Sequence, residues 1–177
     1  MAPAHRLFAL VLAGLAYACA SGCAAEADPD GVAEQGRAYM TGASGHPPDP
    51  AKARQMFEAA AQKGSGAGLF YLGLLAFEGD GRAPDLAQAC GLFRQSSERN
   101  HSGGLREYGE CQLRGLGGVK RDPAAAAESF RRSIAQGGIQ AHESLARLYL
   151  AGEGVPQDSA EAARLMQRYA ALRSGRN

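Results

Sequence analysis

Tryptophan is absent from the 177-residue chain, and aromatic residues make up only 7% of it. A pocket walled by aromatic rings, or a sheet held by cross-strand aromatic pairs, would have little material to draw on. An excess of one charge is missing too. The chain carries 19 basic and 18 acidic side chains, a net charge of +1. Nucleic-acid binding calls for a clear basic surplus, so no nucleic-acid partner is expected. The apolar run from Leu7 to Ala18 is too short to cross a bilayer as an ordinary helix. What the chain has in quantity is alanine and glycine, with 24 glycines. Small residues at this density suit closely packed helices.

The first residues read as a targeting signal. His5 and Arg6 give a short basic start, the apolar run follows, and small residues come after it. Residues 1–22 are therefore expected to be a signal peptide and residues 23–30 a tether without periodicity. Two processing routes are open. Ala20-Ser21-Gly22-Cys23 resembles the lipobox of bacterial lipoproteins, in which the cysteine becomes the lipidated N-terminus. Alanine stands where that motif usually has leucine. The other route is cleavage after Ala18-Cys19-Ala20, a small-x-small site. Lipidation at Cys23 is the expectation carried forward, and a lipid there would be the chain's only membrane contact.

Beyond residue 30 the sequence repeats. Asp49, Asp85, Asp122 and Asp158 are separated by 36, 37 and 36 residues. Four residues after each stands Ala53, Ala89, Ala126 or Ala162. Eight residues after stands Phe57, Phe93, Phe130 or Met166. Offsets of four and eight share one helix face, so each aspartate is expected to cap a helix that buries a small residue beside a large one. Pro50 and Pro123 follow two of the aspartates, at the helix position where a missing N–H costs nothing.

Upstream of each aspartate lies a second pattern. Gly36, Gly73, Gly109 and Ala146 share one slot, followed three residues on by Tyr39, Ala76, Gln112 and Tyr149, and then by clustered glycines. This predicts a leading helix that ends on glycines able to take positive φ. The glycine slot would let the capped helix approach closely. These residues resemble the Sel-one-like repeat, a relative of the tetratricopeptide repeat. Ala141, Leu145, Ala146, Tyr149, Gly152, Gly154, Val155 and Asp158 fit its pattern in the fourth copy, while the first copy is the most divergent, with Gln35 at a leucine slot. The resemblance implies an all-α fold, a right-handed α/α solenoid of four helix–turn–helix repeats over residues 31–173. Copies are expected near 31–67, 68–103, 104–140 and 141–173, with a tail at 174–177. One copy cannot bury its apolar face, so stacking supplies the core, and Arg164, Gln167, Arg168 and Arg173 form a polar edge fit to close the stack.

Few chemical constellations survive inspection. Gly115 to Lys120 invites a phosphate-loop reading, but the spacing is wrong and the glycines recur in every copy. Cys90 and Cys111 lie 11 residues before and 10 after His101, where the chain turns between two antiparallel helices. Equal distance from the turn puts them at one height, so a Cys90–Cys111 disulfide is expected in an exported protein. With Cys19 lost and Cys23 lipidated, two cysteines remain to pair. A zinc site or a thiol–histidine pair using His101 fails, because the turn is roughly 15 Å from either thiol at 1.5 Å per residue. His46 and His142 read as surface or loop residues. No catalytic residue, metal or cofactor is expected.

The remaining candidate is a binding face along the leading helices, a strip that lines the concave groove in tetratricopeptide-like solenoids. Its members are Arg37; Phe70, Leu74 and Glu78; Arg106, Glu110 and Arg114; and Arg147. Mixed charge around the apolar pair Phe70 and Leu74 suits a protein or peptide partner. The second leading helix is apolar nearly all round, which means either deep burial or a sticky surface. The expected function is a non-enzymatic protein–protein interaction scaffold on the periplasmic face of the bacterial cell envelope, lipid-anchored or else soluble or secreted. The rival readings are an exported hydrolase acting on cell-wall material and a self-associating structural protein.

Overall fold

The computed structural model describes residues 28–43, 45, 47–79 and 81–175. The signal segment, Cys23 and His46 lie outside the described residues. Among those described there are eight helices and no strand: α1 (Pro29–Thr41), α2 (Pro50–Gln62), α3 (Gly66–Glu78), α4 (Leu86–Glu98), α5 (Ser102–Arg114), α6 (Pro123–Ala135), α7 (Gln140–Ala151) and α8 (Ser159–Arg173). Each odd helix packs against the even one after it, and each pair stacks on the next, giving an all-α helical repeat solenoid. None of these helices is long and apolar enough to cross a membrane.

The four aspartates start the even helices. Asp49, Asp85, Asp122 and Asp158 each accept a backbone N–H three residues on, from Lys52, Gln88, Ala125 and Glu161, all at 2.9 Å. Their own N–H groups donate backwards, to the carbonyls of Tyr39, Ala76, Gln112 and Tyr149 at 2.7–3.0 Å. That slot recurs because its backbone is used, and so its side chain is free to vary. The odd helices end on Gly42, Gly79, Gly115 and Gly152, all left-handed, with φ between 65° and 78°.

Packing inside a copy rests on a glycine facing a ring. A Cβ at Gly36, Gly73 or Gly109 would sit 2.5–2.6 Å from Phe57, Phe93 or Phe130. The three phenylalanines are buried, and each centres one of three core clusters that also recruit the following copy. Ala67 and Leu75 join Phe57, Cys111 joins Phe93, and Ala141 and Leu145 join Phe130. Burial of one such ring is worth roughly 1.5–3 kcal/mol against leaving it exposed.

The fourth copy departs from this scheme. It has Ala146 at the glycine slot and Met166 at the ring slot, and Met166 is 41% exposed rather than buried. Among the described residues nothing covers it. The end is closed differently. Ala60, Ser96 and Ser133 are buried small residues in one register, and Tyr169 takes that register in α8 with Arg173 5.5 Å above its ring. Two expectations need correction. The tether does not reach residue 30, because Asp28 caps α1 through the N–H groups of Asp30 and Gly31. His142 is neither surface nor loop: it lies in the first turn of α7, only 7% exposed, its Nδ1 3.0 Å from the Ile139 carbonyl oxygen.

Candidate protein-binding cleft

The strip along the odd helices divides into three environments. In α1, Arg37 is exposed and donates from Nε to Glu34 at 2.7 Å, while the Tyr71 hydroxyl of α3 donates to the same carboxylate at 3.0 Å. These partners hold the Glu34 carboxyl below its ordinary value, the Arg37 bond foremost. Burial and the Glu34 bond push the Tyr71 hydroxyl up to about 12.

In α3 the apolar pair turns inward. The Phe70 ring lies 4.9 Å from His101, 5.1 Å from Tyr71 and 6.2 Å from Phe93, and Leu74 packs against the same Phe93 cluster. Both are half-buried. Gly103 is the reason, since a Cβ there would meet the Phe70 ring at 2.8 Å. Without that side chain, α5 begins directly over Phe70. The apolar character of α3 is therefore mostly burial. Glu78 is exposed at its end. The apolar group that does reach solvent here is Phe77, 43% exposed.

In α5 and α7 the charged members converge. A cleft of about 270 Å³ opens between Phe77 of α3 and the α5 face bearing Arg106, Glu107, Glu110 and Arg114, with Arg147 of α7 at its edge. Phe93, Leu116 and Cys111 line it as well. Cys111 is bonded to Cys90, with the sulfurs 2.05 Å apart, which joins α4 to α5 beside the cleft. Glu110, 14% exposed, holds several partners: Arg114 Nε at 3.3 Å, Arg147 at 3.5 Å and the Ser144 hydroxyl at 3.2 Å. Arg114 and Arg147 remain 61% and 58% exposed. Arg106 pairs with Glu107. Burial raises the Glu107 carboxyl above its ordinary value, Arg106 opposes this, and nearby Glu110 adds to it. A larger hollow of about 440 Å³ lies in the proline-rich loop of Pro47, Pro48 and Pro50. Among the described residues Lys52 is the one basic group on its lining, and it already sits 4.1 Å above the Tyr39 ring.

The arrangement offers little to a chemical step. Among the described residues no three His, Cys, Asp or Glu side chains converge as a metal site would require. His101 Nδ1 accepts the Gly104 N–H at 3.2 Å and so caps α5. Phe77, Glu107, Leu116 and Ser144 belong to the site and escape sequence reasoning. Phe77 carries one signal, since it stands four residues after Gly73, in register with Leu150, which is also exposed. Which side of an apolar helix stays uncovered is not written in that spacing.

Comparison with known proteins agrees with this architecture. A family model described as the Sel1 repeat matches residues 32–65, 66–101, 103–138 and 139–174. No curated protein sequence matches the chain. Among solved structures, a Sel1 repeat protein from Oxalobacter formigenes is similar at 27% identity and a TM-score of 0.70, over 80% of this chain and 57% of that one. A protective antigen present in uropathogenic Escherichia coli strains, displaying an SLR fold, is similar at 29% identity and a TM-score of 0.68, over 81% of this chain and 30% of that one. The chain thus spans between about a third and a little over half of these two relatives. Sel1 repeat proteins generally mediate protein–protein interactions and are generally non-catalytic. With the model matching four consecutive copies over most of its length, the chain belongs to the Sel1 repeat family.

Proposed function

We propose that this chain is a non-catalytic scaffold of the bacterial cell envelope that holds a partner protein in the cleft between α3, α5 and α7. The observation that carries this reading is the cleft itself. An exposed ring, Phe77, stands beside Arg114 and Arg147, two largely exposed arginines that share one carboxylate on a rigid helical frame. Aromatic and arginine side chains dominate binding energy when a partner covers them.

Export is supported by the basic start and apolar run at the N-terminus, and a lipid on Cys23 would tether the solenoid at the membrane. The Cys90–Cys111 bond fits an oxidising compartment. That one similar structure is a protective antigen supports placement outside the cytoplasm.

Two experiments test the reading. A photo-crosslinking amino acid placed at Phe77 is expected to capture a discrete protein in intact cells. The same probe at Glu128, exposed on α6, is expected to capture none. Equal labelling from both positions, or none from Phe77, would remove the cleft as the binding site. Metabolic labelling with a fatty acid is expected to mark the wild-type chain and to vanish in Cys23→Ala. Persistent labelling of that variant would exclude Cys23 as the anchor.

A further inference from the structure

The cleft's charges are unevenly satisfied, and the imbalance points to an occupant. Three arginines line it against two glutamates. Arg106 and Glu107 neutralise each other as neighbours, leaving Glu110 to serve both Arg114 and Arg147. Arg114 reaches it only through Nε at 3.3 Å, and Arg147 through one terminal nitrogen at 3.5 Å. These are long contacts for charge-assisted bonds, which run near 2.7–2.9 Å. Each guanidinium has five donors in a planar fork. Among the described residues, the Arg114 donors other than Nε meet no protein acceptor. Arg147 adds only the Ser144 hydroxyl, at 3.3 Å.

One positive charge in the cleft is thus uncompensated, and its carriers sit at the rim rather than the floor. The floor and one wall are apolar, made by Phe93, Leu116 and the exposed Phe77. A complementary surface needs a carboxylate at the rim and an apolar side chain next to it.

We infer that the cleft takes an acidic peptide segment of a partner protein, a carboxylate seated between Arg114 and Arg147 and an adjacent large apolar side chain against Phe77. This rests on the protein-binding reading above and gives that partner its chemistry. A carboxylate here gives each guanidinium a further acceptor without displacing Glu110. A basic segment would meet two exposed arginines with no free acid between them.

The test uses fluorescence anisotropy on the purified full chain with blocked, fluorescein-labelled peptides. The probe is Gly-Glu-Leu-Glu-Gly, compared with Gly-Lys-Leu-Lys-Gly and Gly-Glu-Gly-Glu-Gly. The acidic leucine peptide is expected to bind best, and more weakly in 0.5 M than in 0.05 M salt. Arg114→Glu with Arg147→Glu should weaken it roughly tenfold or more. Phe77→Ser should erase the advantage of leucine over glycine, and Arg164→Glu on α8 should change nothing. Unchanged circular dichroism and melting keep the variants comparable. Equal or better binding of the lysine peptide, no binding of the acidic one, or undiminished binding by the double variant would each overturn the inference. If Phe77 still captures a partner in cells when the acidic peptide fails, the protein-binding reading stands and only this chemistry falls. If both fail, both fall.

Discussion

The joint between the second and third copies differs from the joints on either side of it. At the centre, Phe70 fits under the start of α5 against His101, and the Cys90–Cys111 bond ties α4 to α5. At the flanks the Phe57 and Phe130 clusters also cross the joint, but the odd helices meet there through carboxylates as well. Asp30 accepts the Ser65 hydroxyl at 2.5 Å and Glu34 that of Tyr71, while Glu110 accepts Ser144 and Arg147. An apolar, covalently closed joint keeps its geometry across salt and dilution, whereas the polar contacts near the surface at the flanks weaken as ions screen them. The cleft opens where these two kinds of joint meet. Its Phe77 side is anchored by the rigid centre, and its Arg147 edge belongs to the adjustable flank.

The comparison breaks most visibly at the central ring. Phe93→Ala is expected to cost about 3–5 kcal/mol, and Met166→Ala, at the same register in the fourth copy, less than about 1 kcal/mol. Urea denaturation followed by circular dichroism measures both. Equal costs would mean that the end copy is as tightly packed as the centre.

Removing the covalent tie comes next. The bond closes a sequence separation of 21 residues. Its loss in Cys90→Ser with Cys111→Ser is expected to lower stability by about 3 kcal/mol. Amide exchange should then quicken in α4 and α5 before α1 and α7. Uniform quickening would show that the joints unfold as one unit.

A smaller effect is expected at His101, which sharpens the centre by pH. Burial holds its imidazole below the ordinary value of 6.5, against the upward pull of Asp30 and Glu34. A lowered folded value means the neutral form is the one the fold uses, capping Gly104 through Nδ1. Its stabilisation is complete above 6.5 and is lost as pH falls from there through the lower folded value. His101→Asn keeps a capping side chain and should flatten that acid slope, and His101→Ala should cost about 1 kcal/mol at neutral pH. Thermal melts between about pH 8 and pH 5 read the slope. An unchanged slope in His101→Asn would assign it to another group.

The smallest change belongs to the flank. Glu110→Gln is expected to cost no more than about 1 kcal/mol, because its arginine partners are mostly exposed. The deficit should shrink further in high salt, where wild type and variant converge. A deficit that persists in high salt would make Glu110 a packing residue.

Much of this was legible beforehand, and the parts that were not share a cause. The aspartate register, the glycine stops and the pairing of Cys90 with Cys111 all follow from separations along one or two adjacent helices, where 3.6-residue geometry fixes faces and heights. Those local rules determined eight helix positions and their stacking order. They left Phe70 and Leu74 undecided between burial and display, placed His142 at the surface, and passed over Phe77, Glu107 and Ser144.

By itself the sequence determined the period, the caps and the slots where glycine admits a ring, because each is set within one copy, by the faces of one helix or of two adjacent ones. Only the tertiary structure decided what faces solvent. That depends on how closely the next copy approaches. At Gly103 a missing side chain lets α5 cover Phe70. On α8, among the described residues, no element packs over Met166, which stays 41% exposed. Between those extremes α5 and α7 bring Arg114 and Arg147 to one carboxylate, a meeting of residues in separate copies that no repeat pattern encodes.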